Sequence, residues 1–138
     1  MNQHELVVTA DDMQRLRRLI DQAKLRDPRG TPYLDSLERE LSAARVVAPQ
    51  AVPADVVTMN SQIRLLDLDT GEQIVFTLVL PDEADVDNAR VSVLAPIGTA
   101  VLGYRAGDTL SWQVPDGVRR LKVVEILYQP EASGSDHS

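Results

Sequence analysis

Asp69-Thr70-Gly71 has the composition of the aspartic-protease triplet, in which two such aspartates share a proton to activate water. Here Glu72 follows where that chemistry wants an apolar or small residue, and the flanks read as strands, so Asp69 to Glu72 is expected to be a hairpin turn. Asp67, Asp69 and Glu72 lack the further oxygen ligands and terminal glutamate of a calcium loop. Gly98 and Gly103 have the separation of the outer glycines of a phosphate-binding loop, but Tyr104 and Arg105 stand where Lys and Ser/Thr must hold phosphate and magnesium. The two histidines, His4 and His137, lie at opposite ends, and cysteine is absent. Ser36, Ser42, Ser61, Ser92 and Ser111 therefore have no core histidine to activate them. The expectation is a protein that binds rather than catalyses, with no catalytic residue, metal or cofactor.

The remaining charged cluster is basic. Arg15, Arg17, Arg18, Lys24, Arg26 and Arg29 oppose only Asp21 and Asp27 along one stretch, which reads first as a solvated helix face and second as a contact for phosphate or an acidic channel. The net charge of −7 lies entirely elsewhere: residues 1–45 hold eight acids and eight bases, residues 46–138 thirteen acids and six bases. An acidic C-terminal part repels a phosphate backbone, so direct DNA binding is not expected and a basic protein surface is. No apolar run approaches the roughly 20 residues of a membrane span, and no signal peptide is visible at the N-terminus, so a cytoplasmic protein with no membrane partner is expected.

These side chains must be placed by few elements. Thr9 caps a helix with Asp12 three residues on, and Met13, Leu16, Ile20 and Ala23 repeat at helical spacing. Asp27-Pro28-Arg29-Gly30 ends it, and Leu34, Leu37, Leu41 and Ala44 form the seam of a second helix. The pair predicts a short antiparallel hairpin over 1–47, each helix about 14–17 residues and about 20–25 Å long. Residues 48–55, with Pro49 and Pro53, read as an extended linker. Residues 56–130 hold strand material from Val56 to Met59, runs over Ile63–Leu68 and Gln73–Leu80, and a strand entering Pro96. Pro96 opens a short helix that ends at Gly103, Gly107-Asp108 turns, and Leu110–Val114 pairs with Val118–Tyr128 through Pro115-Asp116-Gly117. Residues 131–138 read as a disordered tail.

Ala95-Pro96-Ile97-Gly98, Ala100-Val101-Leu102-Gly103 and Gly107-Asp108 resemble the C-terminal domain of the GreA/GreB transcript-cleavage factors. Asp55 to Ser61, Thr77-Leu78-Val79 before Pro81, and Tyr128-Gln129-Pro130-Glu131 narrow the resemblance to the short Rnk branch of that family, regulators of nucleoside diphosphate kinase that also bind RNA polymerase. The resemblance implies an α+β fold: the helical hairpin (coiled coil) plus an FKBP-like, twisted, mostly antiparallel sheet with one short helix. The aromatic content of 4% argues against a prolyl-isomerase pocket.

The resemblance further implies docking at the rim of the RNA polymerase secondary channel through Leu94, Ala95, Pro96 and Ile97, where Leu94 and Ala95 replace the acid or polar pair usual before this proline. Gre factors bring two tip carboxylates to a catalytic magnesium on a far longer hairpin. Here the tip, Arg26, Asp27 and Arg29, has one acid between two arginines, so transcript cleavage is not carried over. The expected role is competition with Gre factors for polymerase; the alternative is regulation of nucleoside diphosphate kinase, directly or through its gene.

Overall fold

The computed structural model describes residues 6–26, 32–114 and 117–133. Asp27, Arg29, both histidines, the Pro115-Asp116 turn and residues 134–138 lie outside them. The chain opens with strand β1 (Val7–Val8) and helix α1 (Ala10–Arg26), followed by α2 (Pro32–Ser42) and β2 (Arg45–Val46). Asp12 donates its backbone N–H to the Thr9 hydroxyl at 3.2 Å, the cap expected from the sequence. At 17 residues α1 is about 25 Å long, whereas α2 has 11 and is shorter than expected. Its apolar seam ends at Leu41, and Ala44 has already left the helix.

β1 and β2 pair in parallel, Val7 opposite Arg45 and Val8 opposite Val46, and so tie the two open ends of the hairpin together. Lys24 spans the helices to Glu38 at 2.5 Å and Asp35 at 4.0 Å; its hydrogen bond to Glu38, with both carboxylates nearby, raises the ammonium pKa above its ordinary value.

The sheet domain contains β3 (Gln62–Asp67), β4 (Gln73–Val79), β5 (Arg90–Ser92), α3 (Pro96–Val101), β6 (Thr109–Val114) and β7 (Gly117–Tyr128). Strand order is β5-β4-β3-β7-β6, antiparallel throughout except for the parallel β4–β5 pair at one edge. The short helix α3 carries the chain from β5 on one edge to β6 on the other. Gly103 after it takes φ +86°, the left-handed position that ends α3, and its N–H donates to Val57 O at 3.0 Å.

Three expectations are corrected. Val56 to Met59 is not a strand: Val56 makes a single bridge to Arg105, and Thr58 to Ser61 is a tight turn with Asn60 at φ 68°. Residues 48–55 are not extended throughout, because Pro49–Ala51 is a 3-10 turn and the Gln129 side chain donates to Pro53 O (2.8 Å) and Val56 O (2.7 Å). Residues 131–133 complete a helical turn, α4 (Pro130–Ser133), in which Glu131 accepts from the Thr58 hydroxyl at 2.8 Å.

One apolar core runs through both halves. Leu16, Ile20, Leu37 and Leu41 from the hairpin join Val57, Ile63, Leu65, Leu78, Val93, Val101, Leu121 and Val123 in a single buried cluster. Alternation on β3 sends Ile63 and Leu65 inward while Arg64 and Leu66 face the other way. The hairpin is packed onto the sheet domain and stands as part of one folded body.

Candidate interaction site

Ser92 ends β5 and organises the strand-to-helix turn. Its hydroxyl accepts the Leu94 N–H at 2.9 Å and its carbonyl accepts the Ala95 N–H at 3.0 Å. Ala95 is extended (φ −68°, ψ 147°), as a residue before proline must be, and Pro96 takes the first helical position, where a missing N–H costs nothing. Thr99 returns to the turn twice: its N–H donates to Ala95 O at 2.9 Å and its hydroxyl to Val93 O at 2.5 Å. Leu94 and Ile97 are half-buried and packed on the core. The four residues expected to dock on a partner thus sit on a turn held from within.

The structure brings Leu94 together with the described part of the hairpin tip. A groove of about 460 Å³ has one wall from α1, with Arg15, Arg18, Leu19, Gln22, Ala23 and Arg26, and another from Leu80, Pro81, Asp82 and Leu94. Arg26 and Leu94, read separately from the sequence, belong to one surface. Sequence reasoning read Arg15 and Arg18 first as a solvated face and second as a contact for phosphate or an acidic channel, and gave Leu80 to Asp82 no functional role. The available signal was the spacing of Arg15, Arg18, Gln22 and Arg26, which puts them along one helix face.

The acids around Asp69-Thr70-Gly71 are engaged in structure. Asp67 is fully inaccessible; one carboxylate oxygen accepts the N–H groups of Asp69 (2.8 Å) and Thr70 (3.1 Å), and the other meets the Arg119 guanidinium at 3.0 Å. Asp69 pairs with Arg120 at 3.0 Å, and Gly71 has φ +81°, which completes the hairpin turn read from the sequence. The Asp69 backbone N–H is the main cause holding the Asp67 carboxyl below the ordinary aspartate range; the Arg120 side chain does the same for Asp69. A lowered folded-state pKa stabilises the fold above the unfolded value and loses that contribution as pH falls through the folded one. The melting temperature should therefore drop as pH is lowered from about 4 toward 2. In Asp67→Asn that drop should be shallower; an identical pH slope in variant and wild type would count against this role for Asp67.

The two blocks flanking the sheet domain also meet. Ser61 Oγ accepts the Thr58 N–H and lies 2.9 Å from the Thr58 hydroxyl, which reaches Glu131, while Ala132 N–H donates to the Gln129 side-chain oxygen at 3.1 Å. Residues about 70 positions apart in the chain close on each other beside Val56.

Comparison with known proteins agrees with this architecture. The family model for the C-terminal domain of transcription elongation factors GreA/GreB matches residues 52–128, and the model for the Rnk N-terminus matches residues 5–47. The regulator of nucleoside diphosphate kinase of Escherichia coli (strain K12) is 40% identical over 135 residues, 97% of each chain. Transcription elongation factor GreA of Chloroherpeton thalassium is 37% identical over 67% of this chain and 59% of its own length. A solved GreA/GreB elongation factor from Nitrosomonas europaea superposes with a TM-score of 0.77 at 36% identity, covering 91% of this chain and all of the other. The family-model match over residues 52–128 and the relatives aligned over most of the chain show that it belongs to the GreA/GreB family. The match to the Rnk N-terminus and the alignment over nearly the full length place it in the Rnk branch of that family.

Proposed function

We propose that this chain is a non-catalytic regulator of transcription that docks at the rim of the RNA polymerase secondary channel through Leu94, Ala95, Pro96 and Ile97, and there excludes Gre-type cleavage factors. The observation that carries the reading is the turn itself. Ser92, Thr99 and Gly98 hold it in one conformation, so a partner meets a preformed surface and little ordering cost is left for binding. An interface of roughly 800 Å² per partner suffices for specific association.

Occupancy without cleavage is supported by the hairpin. Its longer helix spans about 25 Å, and its last turn carries Lys24 and Arg26, cations that disfavour delivery of a metal ion. The protein acts in the cytoplasm, where its polymerase partner is. In a displacement assay, micromolar protein should release a labelled Gre factor from core polymerase, and Pro96→Arg should weaken that competition at least tenfold. Unchanged competition by Pro96→Arg, or none by the unmodified protein, rejects the docking reading.

A second reading follows from the name of the relatives aligned over 97% of the chain, which are called regulators of nucleoside diphosphate kinase. Immobilised protein in a bacterial lysate would then retain a small kinase in place of the large polymerase subunits.

A further inference from the structure

Polymerase docking uses only Leu94 of the groove between α1 and the segment after β4, and leaves its basic wall unexplained. Its volume of about 460 Å³ lies within the span of small-molecule sites. Leu19, Ala23, Leu80 and Leu94 supply apolar lining between Arg15 and Arg18 on one side and Arg26 farther along. Arg15 and Arg18 are three residues apart on α1, with Cβ atoms about 5–6 Å apart, close enough to grip one phosphate or straddle two. Arg26 lies eight residues beyond Arg18, about 12 Å along the axis.

The charge pattern of this wall differs from that around the paired arginines of the sheet domain. In the sheet domain Arg64, Arg105, Arg119 and Arg120 each have a carboxylate oxygen at 2.8–3.0 Å. In the groove the Asp12 carboxylate stands 3.9 Å from Arg15, and Arg18 and Arg26 make no ion pair among the described residues. Arg18 and Arg26 thus line the cavity with no carboxylate at ion-pair distance among the described residues. Asp82, the one acid among the described lining residues, suits hydrogen-bond donors on a ligand and not a second anionic end.

We propose that the groove binds a small organic phosphate, a molecule whose phosphate or diphosphate end accepts hydrogen bonds from Arg15 and Arg18 and whose apolar, donor-bearing body lies along Leu19, Ala23, Leu80 and Leu94. Both walls come from this chain, so a compact ligand can touch the two at once. The site stands independently of polymerase docking, and either can fail alone.

Calorimetric titration of the full chain with ADP, inorganic pyrophosphate and adenosine tests the site. ADP should bind in the micromolar range, pyrophosphate more weakly, and adenosine least. Arg18→Glu should weaken ADP at least tenfold, as loss of a charge-assisted hydrogen bond and reversal of the charge require. Arg17→Glu makes the same charge change on an exposed α1 residue outside the groove and should stay within about twofold of wild type. Arg18 is exposed, so the thermal melt of its variant should match the wild type. No heat with millimolar ADP, equal losses in the Arg17 and Arg18 variants, or capture by phosphatidylglycerol vesicles without ADP binding would each overturn the proposal.

Discussion

Replacing Gly98 by alanine should destabilise the protein by about 3 kcal/mol or more, although helix propensity alone favours the change by about 1 kcal/mol. Gly98 is the third residue of α3 and is buried. A Cβ built there lies 2.2 Å from Ser92 O and 3.1 Å from both Ser92 C and Leu78 Cδ1. The nearest atom is backbone, fixed by the same carbonyl's bond from the Ala95 N–H, so no side-chain rotation relieves the overlap. Either α3 lifts off the end of β5 or β5 shifts against β4, and each opens the core around Leu78 and Val93. Sterics therefore outweigh propensity. Urea unfolding followed by far-UV circular dichroism checks the sign. A more stable Gly98→Ala would mean that α3 does not pack this closely on Ser92. Because Leu94 to Ile97 lie between the two clashing residues, polymerase competition should weaken in the same variant.

What could be read in the chain and what could not divides by range of interaction. The start of α1 was legible because Thr9 and Asp12 lie within one turn; the Asp69 to Glu72 turn and the Pro96 helix start are equally local. Strands β1 and β2 were not, since two residues carry no period and each exists only through a partner 38 positions away. The same holds for Gln129, whose amide organises Pro53 and Val56 across more than 70 residues and turns an apparent linker into packed structure. The groove likewise depended on residues far apart in the chain. Arg18 and Arg26 were visible as charge, but nothing local reveals that Leu80, Pro81 and Leu94 close over them. That placement follows from the core shared by hairpin and sheet, which the prolines at 49 and 53 made to look like two units.

Leu37→Ala puts that shared core to the test and should lower stability by about 3–4 kcal/mol, near the middle of the range for a buried leucine truncation. Leu37 is 0% exposed, on the α2 face that packs with Leu16 and Ile20 of α1 and joins the cluster reaching Val101 of α3. Loss of its three terminal carbons leaves a void that α2, fixed at one end by the β1–β2 pair and on its outer side by Lys24–Glu38, has little freedom to fill. In melting temperature the loss is about 10 °C for a chain of this size. The informative comparison is between two probes: ellipticity at the helical minimum, which is dominated by α1 and α2, and fluorescence of Trp112, the single tryptophan, which lies on β6. With one continuous core the two transitions should coincide in wild type and move down together in Leu37→Ala. If the helical signal shifted while the Trp112 transition stayed in place, the hairpin would be a separately folding arm. The groove between α1 and Leu80-Pro81-Asp82 would then have no fixed geometry with which to select a ligand.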